Sequence, residues 1–206
     1  SLEILQRTVQ LAPDMATAYN NLGNAYRFLG QYDEAIESFT KAIQLAPGIA
    51  YLYNNLGLTY RALDRCQSAI EVYHQALQIQ PDLHQVYPNL IEAYRHAGQI
   101  QQAIDCSRSA LQLTDQIPEI WAAYGDALRD GGYLDAAIEA YIQAVSFRTD
   151  EHSSFNRKVY TNILFCLNYH PDLSAEVIFN AYRDFDQRFA VQLKDRWLPF
   201  NNARLP

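Results

Sequence analysis

Asparagine and arginine return at regular intervals in this sequence, and both side chains are suited to binding another polypeptide. Asn20 and Asn21 lie in "YNNLG", and the same five letters return further along the chain with Asn54 and Asn55. A primary amide donates and accepts hydrogen bonds, so a row of amides can hold the N–H and C=O groups of an extended chain. Arginine recurs at the same interval, and its guanidinium group can bind a carboxylate or a carbonyl oxygen as a fork. These residues predict recognition of a polypeptide.

The residue types that usually carry catalysis show no comparable pattern. The five histidines include no HExxH spacing, and the segment "GNAYRFLG" lacks the GK[ST] ending of a phosphate-binding loop. Asp33, Glu34 and Asp105 are expected to be solvated helix positions rather than an acid/base pair. We predict that the 206 residues contain no catalytic site, no metal site and no cofactor.

The composition argues against several other classes of partner. The chain has a formal net charge of -7 and a pI of about 5.1, whereas a nucleic-acid-binding surface is normally basic. No apolar run approaches the roughly 20 residues that span a bilayer. Cys66, Cys106 and Cys166 form no CxxC pair, which argues against a disulfide framework or zinc site. We expect no nucleic-acid partner, no membrane partner and a reducing, cytoplasmic location.

A repeat of constant length indicates the elements that position these side chains. Four blocks follow in register, at 16–49, 50–83, 84–117 and 118–151. When each block is numbered from 1 to 34, positions 20 and 27 are always alanine and position 4 is always aromatic. Each block holds two apolar-periodic runs of helix length, and position 15, usually glycine, marks the turn between them. The sequence therefore predicts an all-α chain of four antiparallel helix pairs.

The stretch "YNNLGNAYRFLGQYDEAIESFTKAIQLAP", from Tyr19 to Pro47, resembles the tetratricopeptide repeat. It follows that family's pattern of W/Y-x2-L-G-x2-Y, then A-x3-F, A and P. The resemblance implies a right-handed superhelical solenoid in which the first helix of each pair lines a concave groove. Ser107 at position 24, and Tyr124 and Leu128 in the fourth block, depart from the pattern and are expected to weaken individual packing contacts.

Both ends of the chain differ from the four blocks. Residues 1–15 align with the second helix of a truncated preceding repeat, so we expect the sequence to be a piece of a longer protein. Residues 152–206 are predicted to form a partial repeat, beginning near Arg157 and broken at Pro171, and then a helical cap or transition segment. Ser174 is expected to cap the last helix. That helix carries an amphipathic stripe expected to pack on the array, at Ile178, Tyr182, Phe185, Phe189, Leu193 and Trp197.

The segment "TNILFCLNYHPDLSAEVIFNAYRDFDQRFA", from Thr161 to Ala190, resembles a junction in bacterial protein O-linked N-acetylglucosamine transferases. There the repeats pass into a catalytic domain through SNLL-x-LNY, PDLS and a helix that begins EEIF. The family often has His and Trp in that helix, where this chain has Tyr182 and Phe185. The resemblance implies a substrate-recognition arm followed by a glycosyltransferase domain that uses UDP-N-acetylglucosamine or another UDP-sugar. The alternatives are a free-standing scaffold without catalysis and the repeat region of another transferase.

In the resembled transferases, asparagines at position 6 contact bound peptide. We therefore expect the amides at this position to face the groove with few partners inside the protein, at Asn21, Asn55, Asn89 and Asn162. The candidate site also includes neighbouring asparagines and the position-12 arginines, namely Asn20, Asn24, Asn54, Arg27, Arg61, Arg95 and Arg129. The expected partner is protein or peptide in extended conformation. The alternatives are that the asparagines bond to a neighbouring helix and that the arginines are solvated with their stems on tyrosine.

Overall fold

A computed structural model describes residues 2–147 and 153–190, which form eleven α-helices and a terminal π-helical turn. The array begins with α1 (Leu2–Leu11). Four helix pairs follow: α2 (Ala16–Phe28) and α3 (Tyr32–Leu45), α4 (Ala50–Ala62) and α5 (Cys66–Ile79), α6 (Val86–His96) and α7 (Ile100–Leu113), α8 (Pro118–Asp130) and α9 (Leu134–Ser146). The chain continues with α10 (Ser154–Tyr169), α11 (Ala175–Phe185) and the π-helical turn Asp186–Ala190. No strand occurs in the described ranges, and the predicted all-α fold is confirmed.

One residue with a positive φ angle makes the turn between the helices of each pair. Gly30, Gly98 and Gly132 have φ angles of 76°, 72° and 82°, and Asp64 has a φ of 58° at the same position. This left-handed conformation ends the first helix, and glycine adopts it without a clash at Cβ. The prediction that position 15 forms the turn is confirmed. Asp64 adopts the same conformation at a steric cost that glycine does not have.

A glycine beneath an aromatic ring holds the two helices of a pair close together. A Cβ atom on Gly57 would lie 2.4 Å from the ring of Tyr73, and one on Gly125 would lie 2.6 Å from the ring of Tyr141. These contacts join position 8 to position 24 of the same repeat. The alanines at positions 20 and 27 are also fully buried, so both helix backbones approach closely.

The third repeat inverts this contact. Ile91 occupies the glycine position and Ser107 occupies the aromatic position, and both are fully buried. Ile91 supplies from one helix the volume that a ring supplies from the other in neighbouring repeats. Ser107 donates its hydroxyl to the carbonyl oxygen of Ala103 at 2.7 Å, so its burial leaves no polar group unsatisfied. That Ser107 and Leu128 weaken individual packing contacts stays a prediction, and Leu128 is buried in the core at 3% exposure.

Successive pairs stack mainly through the contact of each second helix with the first helix of the next pair. Each of α4, α6, α8 and α10 contacts the first helix before it, and each second helix packs against the first helix of the next pair. The aromatic residue at position 4 fixes this junction through a hydrogen bond. Tyr53 donates its hydroxyl to the carbonyl oxygen of Pro47 at 3.0 Å, and Trp121 donates Nε1–H to that of Asp115 at 2.6 Å. The first helices thus share one continuous face of a solenoid.

The tail begins earlier than the sequence predicts. Helix α10 starts at Ser154 rather than near Arg157, because Ser153 caps it by accepting a backbone N–H at 3.1 Å. Residues 154–156, which precede the predicted start, therefore form the first turn of this helix. Ser174 caps α11 by accepting a backbone N–H at 3.4 Å, as predicted.

The amphipathic stripe of the tail packs on α10. Phe189 is 9% exposed, and its ring centroid lies 5.4 Å from that of Tyr160 and 5.0 Å from that of Phe185. The expectation that this stripe covers the end of the array is confirmed at these residues, while Leu193 and Trp197 lie outside the described residues. The outer side of α11 stays exposed, with Phe179 at 65%.

Candidate functional site

The candidate groove lies on the shared face of α2, α4, α6, α8 and α10. Positions 5, 6, 9, 12 and 13 of each first helix fall on one broad side. Because neighbouring first helices touch, position 6 of one repeat reaches position 5 of the repeat before it. In the same way, position 12 reaches position 9 of the repeat after it. These two relations organise the asparagines and the arginines.

Two asparagine pairs link consecutive repeats. Asn55 donates Nδ2–H to Oδ1 of Asn20 at 2.8 Å, and Asn89 donates Nδ2–H to Oδ1 of Asn54 at 3.0 Å. The expectation of few internal partners is wrong for Asn55 and Asn89, because the preceding helix lies within hydrogen-bonding reach. The alternative, in which these amides bond to a neighbouring helix, therefore holds for the NH2 groups of Asn55 and Asn89.

The remaining candidate asparagines have different surroundings. Asn162 donates Nδ2–H to Oδ1 of Asp126 at 3.0 Å, so the expectation of few partners is wrong there too. Asn24 accepts from Nη2 of Arg27 at 3.3 Å. Asn21 is exposed and has no hydrogen-bond partner within residues 2–147 and 153–190, as expected.

Each linked pair still offers a donor and an acceptor to a ligand. In the first pair, the amide NH2 of Asn20 and the carbonyl oxygen of Asn55 have no partner in the described chain, and neither is sealed from solvent. In the second pair, the NH2 of Asn54 has no partner within the described ranges, and Oδ1 of Asn89 receives a long 3.5 Å contact from Arg61. One NH2 and one C=O suffice to pair with one peptide unit. The binding elements are therefore amide pairs rather than single amides.

The position-12 arginines of the second and third repeats meet carboxylates on the first helix of the next repeat. Nη2 of Arg61 lies 2.6 Å from Oε2 of Glu92. Nη1 of Arg95 lies 3.5 Å from Oδ2 of Asp126, and its Nε and Nη2 both donate to Oδ2 of Asp130, at 2.8 Å and 2.6 Å. The charges of both arginines are compensated within the protein, which reduces their capacity to hold an acidic ligand.

Asp126 is the centre of this network in the fourth repeat. Its Oδ1 accepts from the hydroxyl of Tyr141 at 2.6 Å, from Nη1 of Arg129 at 3.2 Å and from Asn162. Its Oδ2 faces Arg95. Burial raises the pKa of Tyr141, and the carboxylate of Asp126 adds to the rise. The network locks three repeats together around one carboxylate.

Sequence reasoning missed the three carboxylates of this network. Glu92, Asp126 and Asp130 are ordinary acidic residues on a helix when each is considered alone. The signal that identifies two of them is their equal separation from Arg61 and Arg95, which joins position 12 of one repeat to position 9 of the next.

The first repeat lacks such a partner. Leu58 occupies position 9 of the second repeat, where the register places the partner of Arg27. Arg27 forms no ion pair with the described residues, and its Nε is buried without a hydrogen-bond partner. The hydroxyl of Tyr73, which occupies the same position as Tyr141, is buried beside Arg61 and has no carboxylate acceptor among the described residues.

Other features of the described residues add no second site. They contain no group of three or more His, Cys, Asp or Glu side chains that could hold a metal ion. No helix among them has the length and apolar character needed to cross a membrane. The three cysteines are free, and burial raises the pKa of the Cys106 thiol to about 12, so this thiol is protonated at neutral pH.

Comparison with known families agrees with the geometry. A family model described as tetratricopeptide repeat matches residues 1–48 and 14–82, and a second model of the same description matches residues 118–150. This chain contains tetratricopeptide repeats. They explain the constant period of the sequence and the small residues at the helix contacts. No curated protein sequence matches the chain.

Solved structures of other proteins have the same fold. YrrB, described as a protein of this class with an unusual peptide-binding site, has a TM-score of 0.67 at 18% identity and covers 96% of this chain and 100% of its own. MamA has a TM-score of 0.71 at 21% identity, covering 93% of this chain and 98% of its own. PilF from Pseudomonas aeruginosa has a TM-score of 0.69 at 19% identity, covering 94% and 81%.

Proposed function

We propose that this tetratricopeptide-repeat module binds segments of other proteins, in extended conformation, along the face of its first helices. The linked amide pairs carry the proposal. The pairs Asn20–Asn55 and Asn54–Asn89 occur at the same register in consecutive repeats, and each leaves one NH2 group without a partner in the described chain. A ladder of this kind binds the backbone of a ligand and is indifferent to most of its side chains.

The expected affinity contribution of the ladder is modest. Each new hydrogen bond contributes about 0.5–1.5 kcal/mol net, because the amides exchange water for the peptide. Two pairs therefore account for a few kcal/mol at most, and further contacts must set the choice of ligand. The peptide-binding site described for YrrB, which shares this fold, supports the general mode of recognition.

The test uses an array of extended twelve-residue peptides of random sequence. Peptides that bind the 206-residue chain are measured again with Asn20→Ala and Asn54→Ala, which remove the unpaired NH2 groups. We expect binding to weaken by about three- to tenfold for each variant, and by similar factors for unrelated peptides. Gln75→Ala, an exposed amide on the second helix α5, is the matched control. Equal binding by the parent and both groove variants would place the ligand elsewhere.

We further propose that the module is the substrate-recognition arm of a cytoplasmic, bacterial glycosyltransferase that resembles O-linked N-acetylglucosamine transferases. The support is the junction segment. Its "LNY" letters, Leu167–Tyr169, form the end of α10, Pro171 lies in the turn, and Ser174 is the N-cap of α11. These letters lie at helix boundaries, where the residue type has a structural role, while the matched Asn162, Ile178 and Phe179 lie inside α10 and α11.

This finer proposal is tested with the full-length protein. Its full-length gene product should transfer sugar from UDP-N-acetylglucosamine, or another UDP-sugar, to Ser or Thr of a bound protein. Asn20→Ala and Asn54→Ala should lower transfer to protein while leaving hydrolysis of the UDP-sugar unchanged. A full-length product that binds peptides but releases no UDP would favour the free-standing scaffold instead.

A further inference from the structure

The second and fourth repeats contain the same hydrogen-bond donors around different centres. In the fourth repeat, the carboxylate of Asp126 is surrounded by Arg129 and Tyr141 of the same repeat and by Arg95 of the repeat before it. By the repeat register, the corresponding residues around position 9 of the second repeat are Arg27, Arg61 and Tyr73, and the centre is Leu58. The second repeat thus keeps the donors of the network without its acceptor.

The orphaned donors show that the missing group is an acceptor. Nε of Arg27 is buried without a hydrogen-bond partner in the described chain, whereas its equivalent, Nε of Arg95, donates to Asp130. The hydroxyl of Tyr73 is buried beside Arg61 without a carboxylate acceptor in the described chain, whereas that of Tyr141 donates to Asp126. Burial raises the pKa of Tyr73, Arg61 acts against that rise through its charge and a hydrogen bond, and the charges of Glu92 and Arg27 have smaller, opposite effects. Unsatisfied buried donors are rare in folded proteins and call for an explanation.

The charges along the groove are unbalanced at the first and second repeats. Three of the four position-12 arginines pair with the carboxylates of Glu92, Asp126 and Asp130, and all three carboxylates lie in the third and fourth repeats. At position 13, the second repeat has Ala62 where the fourth has Asp130. The uncompensated positive charge is therefore that of Arg27, beside the first amide pair.

We propose that Arg27 binds a carboxylate of the extended peptide. The site lies beside Leu58, which occupies the position where the third and fourth repeats have an acidic residue. The inference rests on the proposed function and adds a preference to it: the ligand has an acidic group where it crosses the first and second repeats. The carboxylate approaches from the groove and contacts Nη1 of Arg27, which has no partner among the described residues. The Asn20–Asn55 pair holds the adjoining peptide unit, so charge and backbone are recognised together.

The peptide array tests this preference when each sequence is made in an Asp form and an Asn form, both with amidated C-termini. The wild-type chain should bind the Asp form about five- to tenfold more tightly at low salt, because a charge-assisted bond is only partly screened there. Arg27→Gln should reduce the ratio to about one without weakening the Asn form. The Asn peptides are also made with free C-termini. Tighter binding than that of the amidated Asn peptides would show that a terminal carboxylate can take the place of the Asp side chain.

A carboxylate supplied by the protein itself should block the site. Leu58→Asp restores the arrangement of the fourth repeat and should also reduce the Asp:Asn ratio to about one, whereas Leu58→Asn, its neutral match, should keep the wild-type ratio. If both peptide forms bind equally to the wild-type chain, or if the ratio survives Arg27→Gln, the carboxylate site is refuted while peptide binding stands. If no peptide binds in either form, the proposed function fails as well.

A second measurement needs no peptide. Leu58 is partly exposed, so Leu58→Asp and Leu58→Asn lose the same apolar contacts and differ by one charge. If Arg27 and Tyr73 await an acceptor, the Asp variant should show a folding equilibrium constant about fivefold or more above that of the Asn variant in urea unfolding at low salt. An Asp variant that is equally or less stable than the Asn variant would show that no carboxylate fits there.

Discussion

Asp64 holds a left-handed backbone conformation that glycine holds in the other three turns between paired helices. A residue with a Cβ atom is disfavoured in this region by about 1 kcal/mol. Asp64→Gly should therefore raise the free energy of unfolding by about 0.5–1 kcal/mol, measured by urea denaturation. The loss of a 3.6 Å contact between Sγ of Cys66 and the Asp64 carboxylate is small by comparison.

The reverse change at the equivalent turn provides the control. A Cβ atom on Gly30 would meet nothing within 4 Å, so Gly30→Asp tests backbone strain alone. It should destabilise the chain by a similar amount. If both substitutions change stability in the same direction, the φ angle is not the cause.

Asp126 offers a second prediction for a single side chain. Asp126→Asn keeps the shape of the side chain but leaves Arg95 and Arg129 with one carboxylate fewer, and the Asp126 side chain is only 17% exposed. We expect a loss of about 1–3 kcal/mol in the free energy of unfolding. Glu92→Gln removes an ion pair whose carboxylate is 41% exposed and should cost less than about 1 kcal/mol. Equal losses in both variants would contradict a special role for the Asp126 network.

Single residues were predictable where the backbone dictates their type. Position 15 must adopt a left-handed conformation, which favours glycine, and Ser174 has a side chain suited to an N-cap. Both predictions follow from local geometry. The partners of Asn55 and Asn89 were not predictable in this way. They depend on the distance between helices of consecutive repeats, which no local pattern specifies.

Among the helices, the inverted contact of the third repeat makes a testable pair. Ile91→Gly should lose about 3–5 kcal/mol, because it opens a cavity and places glycine within a helix. Ser107→Tyr should also destabilise, because Ile91 occupies the space for the ring. The double variant recreates the contact of Gly57 with Tyr73 and should recover about 2 kcal/mol or more relative to the sum of the single losses.

Thermal and urea unfolding of the four chains give the coupling energy directly. Additive losses would show that Ile91 and Ser107 do not share one packing site. The same example shows why departures from a repeat pattern mislead when they are considered one at a time. Ile91 and Ser107 occupy the two positions that touch in the second and fourth repeats, and both are fully buried, so we interpret them as compensating changes.

Across the whole molecule, the buried core is uneven. The largest hydrophobic cluster extends from α6 to α10, whereas a small cluster around Ala35, Phe39 and Leu56 holds the first pair. The terminal helices α1 and α11 contain no fully buried residue. The repeat pattern predicted the order of the helices but not this gradient, because core size depends on which residues meet between repeats.

The gradient leads to a prediction about how the array opens. In a solenoid each repeat contacts only its neighbours, so local stability follows the local core. Ala35→Leu and Ala137→Leu place the same change at position 20 of the first and fourth repeats, and both alanines are fully buried. Overpacking costs about 1–3 kcal/mol in either case.

Hydrogen exchange read helix by helix should separate the two variants. Ala35→Leu should accelerate exchange about tenfold or more in α1, α2 and α3, while α8 and α9 keep the protection of the parent chain. Ala137→Leu should accelerate exchange from α6 to α10 together, because these helices share one cluster. Since the groove crosses both regions, Ala35→Leu should weaken the first amide pair and the Arg27 site while the Asp126 network stays intact. Uniform acceleration along the whole chain in both variants would instead show that the array opens as a single unit.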